Sequence, residues 1–407
     1  IMAAVVGFLI IYNIFWNIIN GGGQEMIMNR KLKDGRYLHI NQEYGWYIDK
    51  EEKYKQNILP NNKIQRSREK INFFDYPNIY LLSGCNGKCK YCYQNEHFNV
   101  GNMNLKFEDI REFIHNIKDK QSKNHKKYIE LFGGEPLLRK DIIDIISFLK
   151  DEGYVVNIAT NGTPEILRND QFINVCKENV HIRISLDGHN SKLHEKYRTP
   201  NTFEKIVENI KYIRSENISV SIKSIITDHN YPYIEEILHF VKEELKVNKW
   251  NYNVLYNLEA CKKNGITSNI THLTMVKELC NDKYEQFYPM MKQTPFCQML
   301  IKVFTRTSPY YLRTYPFLNY DGNLFINDQL IVPEYKIGSI EHIKSNWINL
   351  VNEIEYERES CKKCINKNFC YLGNYGELYK IDKKLKMEFP TCNTLRLCIF
   401  TLMEQNE

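Results

Sequence analysis

The sequence predicts an α/β fold: an incomplete (β/α)6 TIM-like barrel followed by a small Cys-rich C-terminal domain. Three observations carry that prediction. From residue 78 onward, short apolar runs alternate with amphipathic runs, at intervals of about 25–45 residues, the rhythm of parallel strands joined by helical crossovers. The residues with unusual chemistry stand just after the strand candidates, where ligands sit in such folds. After Thr294 the periodicity fails, and short strand-like pieces, aromatic residues and Cys dominate up to Cys398.

The strand candidates are 78–82, 128–132, 155–159, 182–186, 220–226 and 250–255. Between them lie amphipathic runs at 107–118, 140–151, 164–178, 203–215 and 232–246. Ile142, Ile145, Ile146 and Leu149 show the spacing of one apolar helix face. Six such strands with right-handed crossovers curl into a partial barrel. Residues 271–293 read as one further helix. Upstream, 28–72 is polar with β-like pieces at 37–40 and 45–48, and 57–70 is a polar linker. The expected division is a hydrophobic segment at 1–27, a small N-terminal subdomain and linker at 28–72, the barrel at 73–260, a linker helix at 261–295 and the Cys-rich domain at 296–407.

The segment from Met2 to Ile19 is almost wholly apolar. As a helix it would span roughly 27 Å, enough for a membrane anchor. Arg30, Lys31, Lys33 and Arg36 follow it, which would leave the rest of the chain in the cytoplasm. The other reading is a mis-annotated start, because Gly21, Gly22 and Gly23 precede Met26 and Met28 in the pattern of a ribosome-binding site read in frame. Both readings place the protein in the cytoplasm.

The chain has 407 residues, 43% of them hydrophobic and 26% charged, so it is too apolar for a disordered polymer. The net charge of +6 is too small an excess to imply a nucleic-acid partner. The Asn-, Ile- and Lys-rich composition suits an AT-rich anaerobe. Twelve Cys are many for a cytoplasmic chain, and their clustering points to metal or iron–sulfur ligation rather than disulfides.

Directly after the first strand candidate stand Cys85, Cys89 and Cys92, a C-x3-C-x2-C spacing flanked by glycine. Three thiolates are one too few to close a four-thiolate cluster, and an open metal position is what a catalytic centre needs. From the residues alone, the alternatives are a zinc site with three thiolate ligands and three packed cysteines. Gly133, Gly134, Glu135 and Pro136 follow the second strand, Asn161 and Gly162 the third, and Ser185, Leu186, Asp187 and Gly188 the fourth.

In that order these motifs resemble the radical S-adenosylmethionine (SAM) superfamily. The resemblance implies that Cys85, Cys89 and Cys92 hold a [4Fe–4S] cluster with one open iron. It implies that Gly133, Gly134, Glu135 and Pro136 receive the methionine amino group of SAM, with Asn161 beside them. Ser185 and Asp187 would contact the ribose and carboxylate, Arg198 the carboxylate, and Tyr91 the adenine side. One electron cleaves SAM to methionine and a 5′-deoxyadenosyl radical, which abstracts a substrate hydrogen.

Cys361, Cys364 and Cys370, followed by Cys392, form a second cluster. It resembles the SPASM domain of radical SAM peptide and protein maturases, and the four thiolates would hold one auxiliary [4Fe–4S] cluster. Asn327 and Asn374 stand where the family has Cys, so the other auxiliary cluster is expected to be lost and Cys297 to be a packing residue. Four thiolates would also suit zinc. Asp328 follows the degenerate position and matches the Asp that acts as a catalytic base in sulfatase-maturing relatives.

The expected function is maturation of a ribosomally made precursor peptide, through a thioether or carbon–carbon crosslink, with flavodoxin or ferredoxin as electron donor. The alternatives are a sulfatase-maturing type of protein modification and, in another class, a zinc-binding regulatory or scaffold protein.

Overall fold

The computed structural model describes residues 27–31, 37–41, 45–49, 73–92, 94, 103–123, 126–256, 259–295, 297 and 315–356. Near the N-terminus, β1 (Ile27–Lys31), β2 (Tyr37–Asn41) and β3 (Gly45–Asp49) form an antiparallel sheet in that order. The main sheet follows.

Six parallel strands lie side by side in chain order: β4 (Asn78–Tyr80), β5 (Lys127–Phe132), β6 (Tyr154–Thr160), β7 (Val180–Ser185), β8 (Ser219–Ile226) and β9 (Trp250–Val254). They match the six strand candidates. Along β6, Tyr154, Val156, Ile158 and Thr160 are buried while their alternate neighbours are only partly so. Alternation with period 2 puts one set on the helix-packed side and the other on the opposite side.

One cavity of about 510 Å³ receives Asn78, Glu130, Ala159, Arg183, Lys223 and Asn253, one residue from each parallel strand. In a flat sheet β4 and β9 would stand about 24 Å apart, at about 4.8 Å per strand. A single cavity touching both therefore requires the sheet to curl, as a partial barrel does.

The crossover helices follow their apolar stripes. The helix α1 (Phe107–Lys118) buries Ile110, Phe113, Ile114 and Ile117, and α2 (Ile142–Asp151) buries Ile142, Ile145, Ile146 and Leu149. Each such side chain removed from water is worth about 1.5–3 kcal/mol. In α1, Glu108 and Asp109 stand in the first turn, where negative charge suits the helix dipole. Next come α3 (Asp170–Cys176), the short α4 (Ser191–His194), α5 (Phe203–Ser215), α6 (Ile234–His239), α7 (Glu259–Lys263) and α8 (His272–Leu279).

The single helix expected over 271–293 is not formed. The helix α8 ends at Leu279, and a run of tighter 3-10 turns covers Asp282–Met291. Asn281 breaks the helix with extended backbone angles, its side chain accepting the Lys283 N–H, and Pro289 withholds a donor further on.

The sheet does not end with the barrel strands. The strand β10 (Phe317–Leu318) pairs parallel to the free edge of β4, and β11 (Asn323–Phe325) and β12 (Lys336–Ser339) continue antiparallel. Leu318, Leu324, Ile326 and Ile337 belong to the same apolar core as the barrel strands. The final described helix, α9 (Trp347–Tyr356), lays Trp347 on Phe73 and Phe74, with ring centroids 5.2 and 4.9 Å apart. Among the described residues no helix is long and apolar enough to cross a membrane; the segment from Met2 to Ile19 lies outside them.

Candidate active site

The loop after β4 carries the three cysteines to one end of the barrel. Cys85, Cys89 and Cys92 all line the 510 Å³ cavity, Cys85 exposed and the other two half-buried. The Gly87 N–H donates to Cys85 Sγ at 3.2 Å.

The segment after β5 is laced directly to this loop. Gly134 N–H donates to the Leu82 carbonyl at 2.8 Å, and Glu135 N–H to the Gly84 carbonyl at 2.9 Å. The approach is so close that a Cβ on Gly134 would lie 1.9 Å from the Gly84 oxygen. Gly133 has φ +151°, and a Cβ there would meet the Leu82 carbonyl at 2.7 Å. Only glycine fits either position.

Glu135 is fully buried. One carboxylate oxygen accepts Thr160 Oγ1 at 2.6 Å and Leu137 N at 3.2 Å, and the other accepts Asn161 N at 2.7 Å. Burial pushes it up to about 7 despite these donors. Asn161 reaches on to the cysteine loop, its amide donating to Asn86 Oδ1 at 2.8 Å. The ends of β4, β5 and β6 are thereby one bonded unit.

The segment after β7 adds a second knot. Asp187 accepts Arg198 Nε at 2.7 Å and Ile225 N at 2.9 Å, and it also accepts the hydroxyl of Tyr91. Arg198 in turn lies over the Tyr91 ring, 5.5 Å from its centroid. The Asp187 charge holds the guanidinium in its charged form although burial opposes it.

Two of the expected site residues stand behind the cavity wall. Asp187 is buried, is not among the residues lining the cavity, and gives its oxygens to Arg198, Ile225 and Tyr91. Pro136 is likewise behind the wall, opening a short 3-10 turn capped by Glu135. Gly133, Gly134, Glu135, Asn161, Ser185, Tyr91 and Arg198 do line the cavity. So does Asp328, held by the Tyr315 hydroxyl at 2.5 Å. Cys297 is buried in the apolar core, as are Cys176 and Cys261. Cys361, Cys364, Cys370, Cys392 and Asn374 lie outside the described residues.

The sequence reading missed a charged strip on the inner wall. Arg183 on β7 pairs with Glu130 on β5, and Lys223 Nζ on β8 donates to Asn253 Oδ1 at 2.9 Å and to the Tyr252 carbonyl at 3.2 Å. Among the described residues Lys223 bonds only neutral oxygens. Burial, with Arg183 adding to it, pulls its ammonium down to about 7. The signal was present: Glu130, Arg183 and Lys223 each interrupt an apolar strand at the alternate positions that face away from the helices.

The donor set fits an iron–sulfur cluster with one open position. Three thiols on one loop open into one cavity, and among the described residues no fourth Cys lines it. Among the described residues no group of three His, Cys, Asp or Glu is gathered tightly enough for a single ion. A cluster spreads its thiolates over three irons and needs no such convergence.

Comparison with known proteins agrees with this geometry. A family profile of the radical SAM superfamily matches residues 79–243. The chain is 29% identical over 167 residues to the AdoMet-dependent heme synthase of Methanosarcina barkeri, covering 40% of this chain and 46% of that one. The chain spans about half the length of the curated relatives it matches. Native anSMEcpe with bound AdoMet and Kp18Cys peptide superposes with TM-score 0.64 at 18% identity, covering 81% of this chain and 99% of that one. Streptococcus suis SuiB bound to precursor peptide SuiA gives TM-score 0.62 at 16% identity, covering 91% and 99%. The fold is shared with both, and residues 79–243 of this chain match the radical SAM superfamily profile.

Proposed function

We propose that the chain is a radical SAM enzyme that modifies a residue of a ribosomally made precursor peptide, by a thioether or carbon–carbon crosslink. The observation that carries this is the convergence of Cys85, Cys89 and Cys92 with Gly133, Gly134, Asn161, Ser185 and Arg198 on one cavity. The SuiB complex holds a precursor peptide and anSMEcpe the Kp18Cys peptide on the same fold, which supports a peptide substrate.

Cys85, Cys89 and Cys92 would hold the cluster, which when bound supplies one electron that cleaves the sulfonium of SAM and yields the hydrogen-abstracting 5′-deoxyadenosyl radical. The residues of the chain bind and orient. The backbone of Gly133 and Gly134 on the cavity wall suits the SAM amino group, and Arg198, fixed by Asp187, suits its carboxylate. Ser185 would reach the ribose, and Tyr91, its hydroxyl spent on Asp187, offers a ring to the adenine side. The charged wall of Glu130, Arg183 and Lys223 faces the remaining space, where the substrate residue would enter. Cys361, Cys364, Cys370 and Cys392 would hold the auxiliary cluster, and flavodoxin or ferredoxin would deliver the electron.

A second reading is modification of Cys or Ser in another enzyme, of the sulfatase-maturing type. Asp328 favours it, because it stands on the cavity wall where a base would be needed.

The test is anaerobic reconstitution followed by reduction with dithionite in the presence of SAM. Ligand counting predicts about eight iron per chain and formation of 5′-deoxyadenosine. Replacing Cys85, Cys89 and Cys92 together by Ala should abolish that product and leave about four iron. Undiminished cleavage in the triple variant, or zinc in place of iron, overturns the proposal.

A further inference from the structure

Among the described residues, the charged side chains that line the cavity are Glu130, Glu135, Arg183, Arg198, Lys223 and Asp328. Arg183 pairs with Glu130, and Arg198 with Asp187. Glu135 accepts from Thr160, Leu137 and Asn161, and Asp328 takes the Tyr315 hydroxyl. Lys223 is the exception, for among the described residues no carboxylate pairs with it. The charge of Glu130 reaches it, but Glu130 is spent on Arg183.

The place of Lys223 in the cavity is set by the sheet. On β8 it stands opposite Ser185 of β7 in the strand register, near the strand ends. Asn253 Oδ1 at 2.9 Å and the Tyr252 carbonyl at 3.2 Å occupy two of the three ammonium protons. The side chain is not sealed: Lys223 is only half-buried, and it lines the cavity. An ammonium only donates, so its bond fixes Asn253 Oδ1 toward it and leaves the amide N–H₂ on the other side. Asn253 lines the same cavity, and among the described residues its N–H₂ donates to nothing. A cation with neutral partners alone is disfavoured in a protein interior, where Met would fill the space without a charge. Burial and Arg183 accordingly pull the ammonium down to about 7. An arriving anion would remove that disadvantage.

We propose that Lys223, with the Asn253 amide beside it, binds a carboxylate of the substrate peptide, so that the residue presented to the cofactor carries or adjoins an acidic group. The inference rests on the reading of this cavity as the substrate site of a peptide-modifying enzyme. The carboxylate is supplied by an Asp or Glu side chain or by the chain terminus, which offer the same chemistry. Lys223 sets specificity in this account and takes no part in breaking or forming a bond.

The experiment uses the reconstituted full chain with SAM, held below pH 7 so that the ammonium is charged. The probes are N-acetyl-glutamate amide, its uncharged counterpart N-acetyl-glutamine amide, and N-acetyl-alanine for a terminal carboxylate. Binding is measured by saturation-transfer NMR. At least one acid should bind about tenfold or more tightly than the glutamine amide, the size of a hydrogen bond to a charged group. The tighter of the two acids assigns the carboxylate to a side chain or to a terminus. Lys223→Met should weaken the acid to the level of the amide, and Lys223→Gln serves the same purpose if the Met variant does not fold. Lys262→Met, exposed on α7, should change nothing. Limited acetylation read by mass spectrometry should find the Lys223 amine protected by the acid and not by the amide. Equal binding of acid and amide, binding of neither, or a preference that survives loss of the Lys223 charge overturns the inference. A preference seen only without SAM assigns the cation to the methionine carboxylate and also overturns it. A chain that binds no SAM yet prefers the acid through Lys223 upholds the carboxylate site and overturns the radical SAM reading.

Discussion

Two parts of the same cavity are built on opposite plans. At the strand ends, Glu135 and Asp187 are 0% and 4% exposed, and every carboxylate oxygen is taken by donors from neighbouring loops. One layer down, the Arg183 and Glu130 side chains keep 37% and 17% exposure, and among the described residues Lys223 bonds only neutral oxygens. The first part is a fixed frame and the second a wall with polar capacity left over. The acidic residues of the conspicuous sequence motifs therefore belong to the frame. Under the proposed function, the residues free to discriminate among substrates come from strand interiors that carry no motif.

If the frame is rigid because its charges are consumed, breaking it should cost most. Asp187→Asn leaves the buried Arg198 without its anion and should destabilise the fold by about 3–5 kcal/mol in denaturant titration. Adding Arg198→Met should recover part of that loss, since the stranded charge is then gone. A loss under about 1 kcal/mol would mean that solvent reaches the pair and the frame is not sealed.

Glu135→Gln comes next, because an amide N–H₂ must then face a donor that Glu135 accepts. The expected cost is about 1–3 kcal/mol. Glu135 sits at about 7 against an ordinary 4.5, so the folded state holds its proton more tightly than the unfolded chain. Its contribution is fully present below about pH 4.5 and is lost as pH rises through 7. Wild type should lose stability relative to Glu135→Gln across that window. A difference flat with pH would show that the three donors, and not burial, govern the carboxyl.

The wall should give the smallest change in stability. Lys223→Met removes a buried cation with no anionic partner among the described residues, and stability should move by less than about 1 kcal/mol near pH 7. Lys223 is lowered from 10.5 to about 7, so between those values the unfolded chain binds its proton more tightly. Wild-type stability should then rise with pH over that range while Lys223→Met stays flat. Reductive cleavage of SAM without substrate should persist in this variant, and peptide modification should fall. Loss of both together would move Lys223 from the wall into the frame.

The strands and helices of the barrel were legible because period and boundary chemistry are local. The six strand candidates and the apolar stripes at 107–118 and 203–215 needed no knowledge of partners. The single helix over 271–293 failed where Asn281 and Pro289 offered breaks that apolar spacing alone does not register. The gathering of the three cysteines on one cavity was also legible, because their spacing lies within one loop.

What the sequence by itself determined is therefore the order of parallel strands, the helix faces and the thiol loop. The tertiary structure decided which polar groups were spent. Asp187 and Ser185 are two residues apart, yet one is tied to Arg198, Ile225 and Tyr91 while the other lines the cavity. The tertiary structure also decided that β10 would complete the free edge of β4, a pairing between segments far apart in the chain. The physical reason is the same in both cases. A hydrogen bond or a strand edge is satisfied by whatever group arrives in space, and arrival is set by the curl of the sheet, which no local pattern encodes.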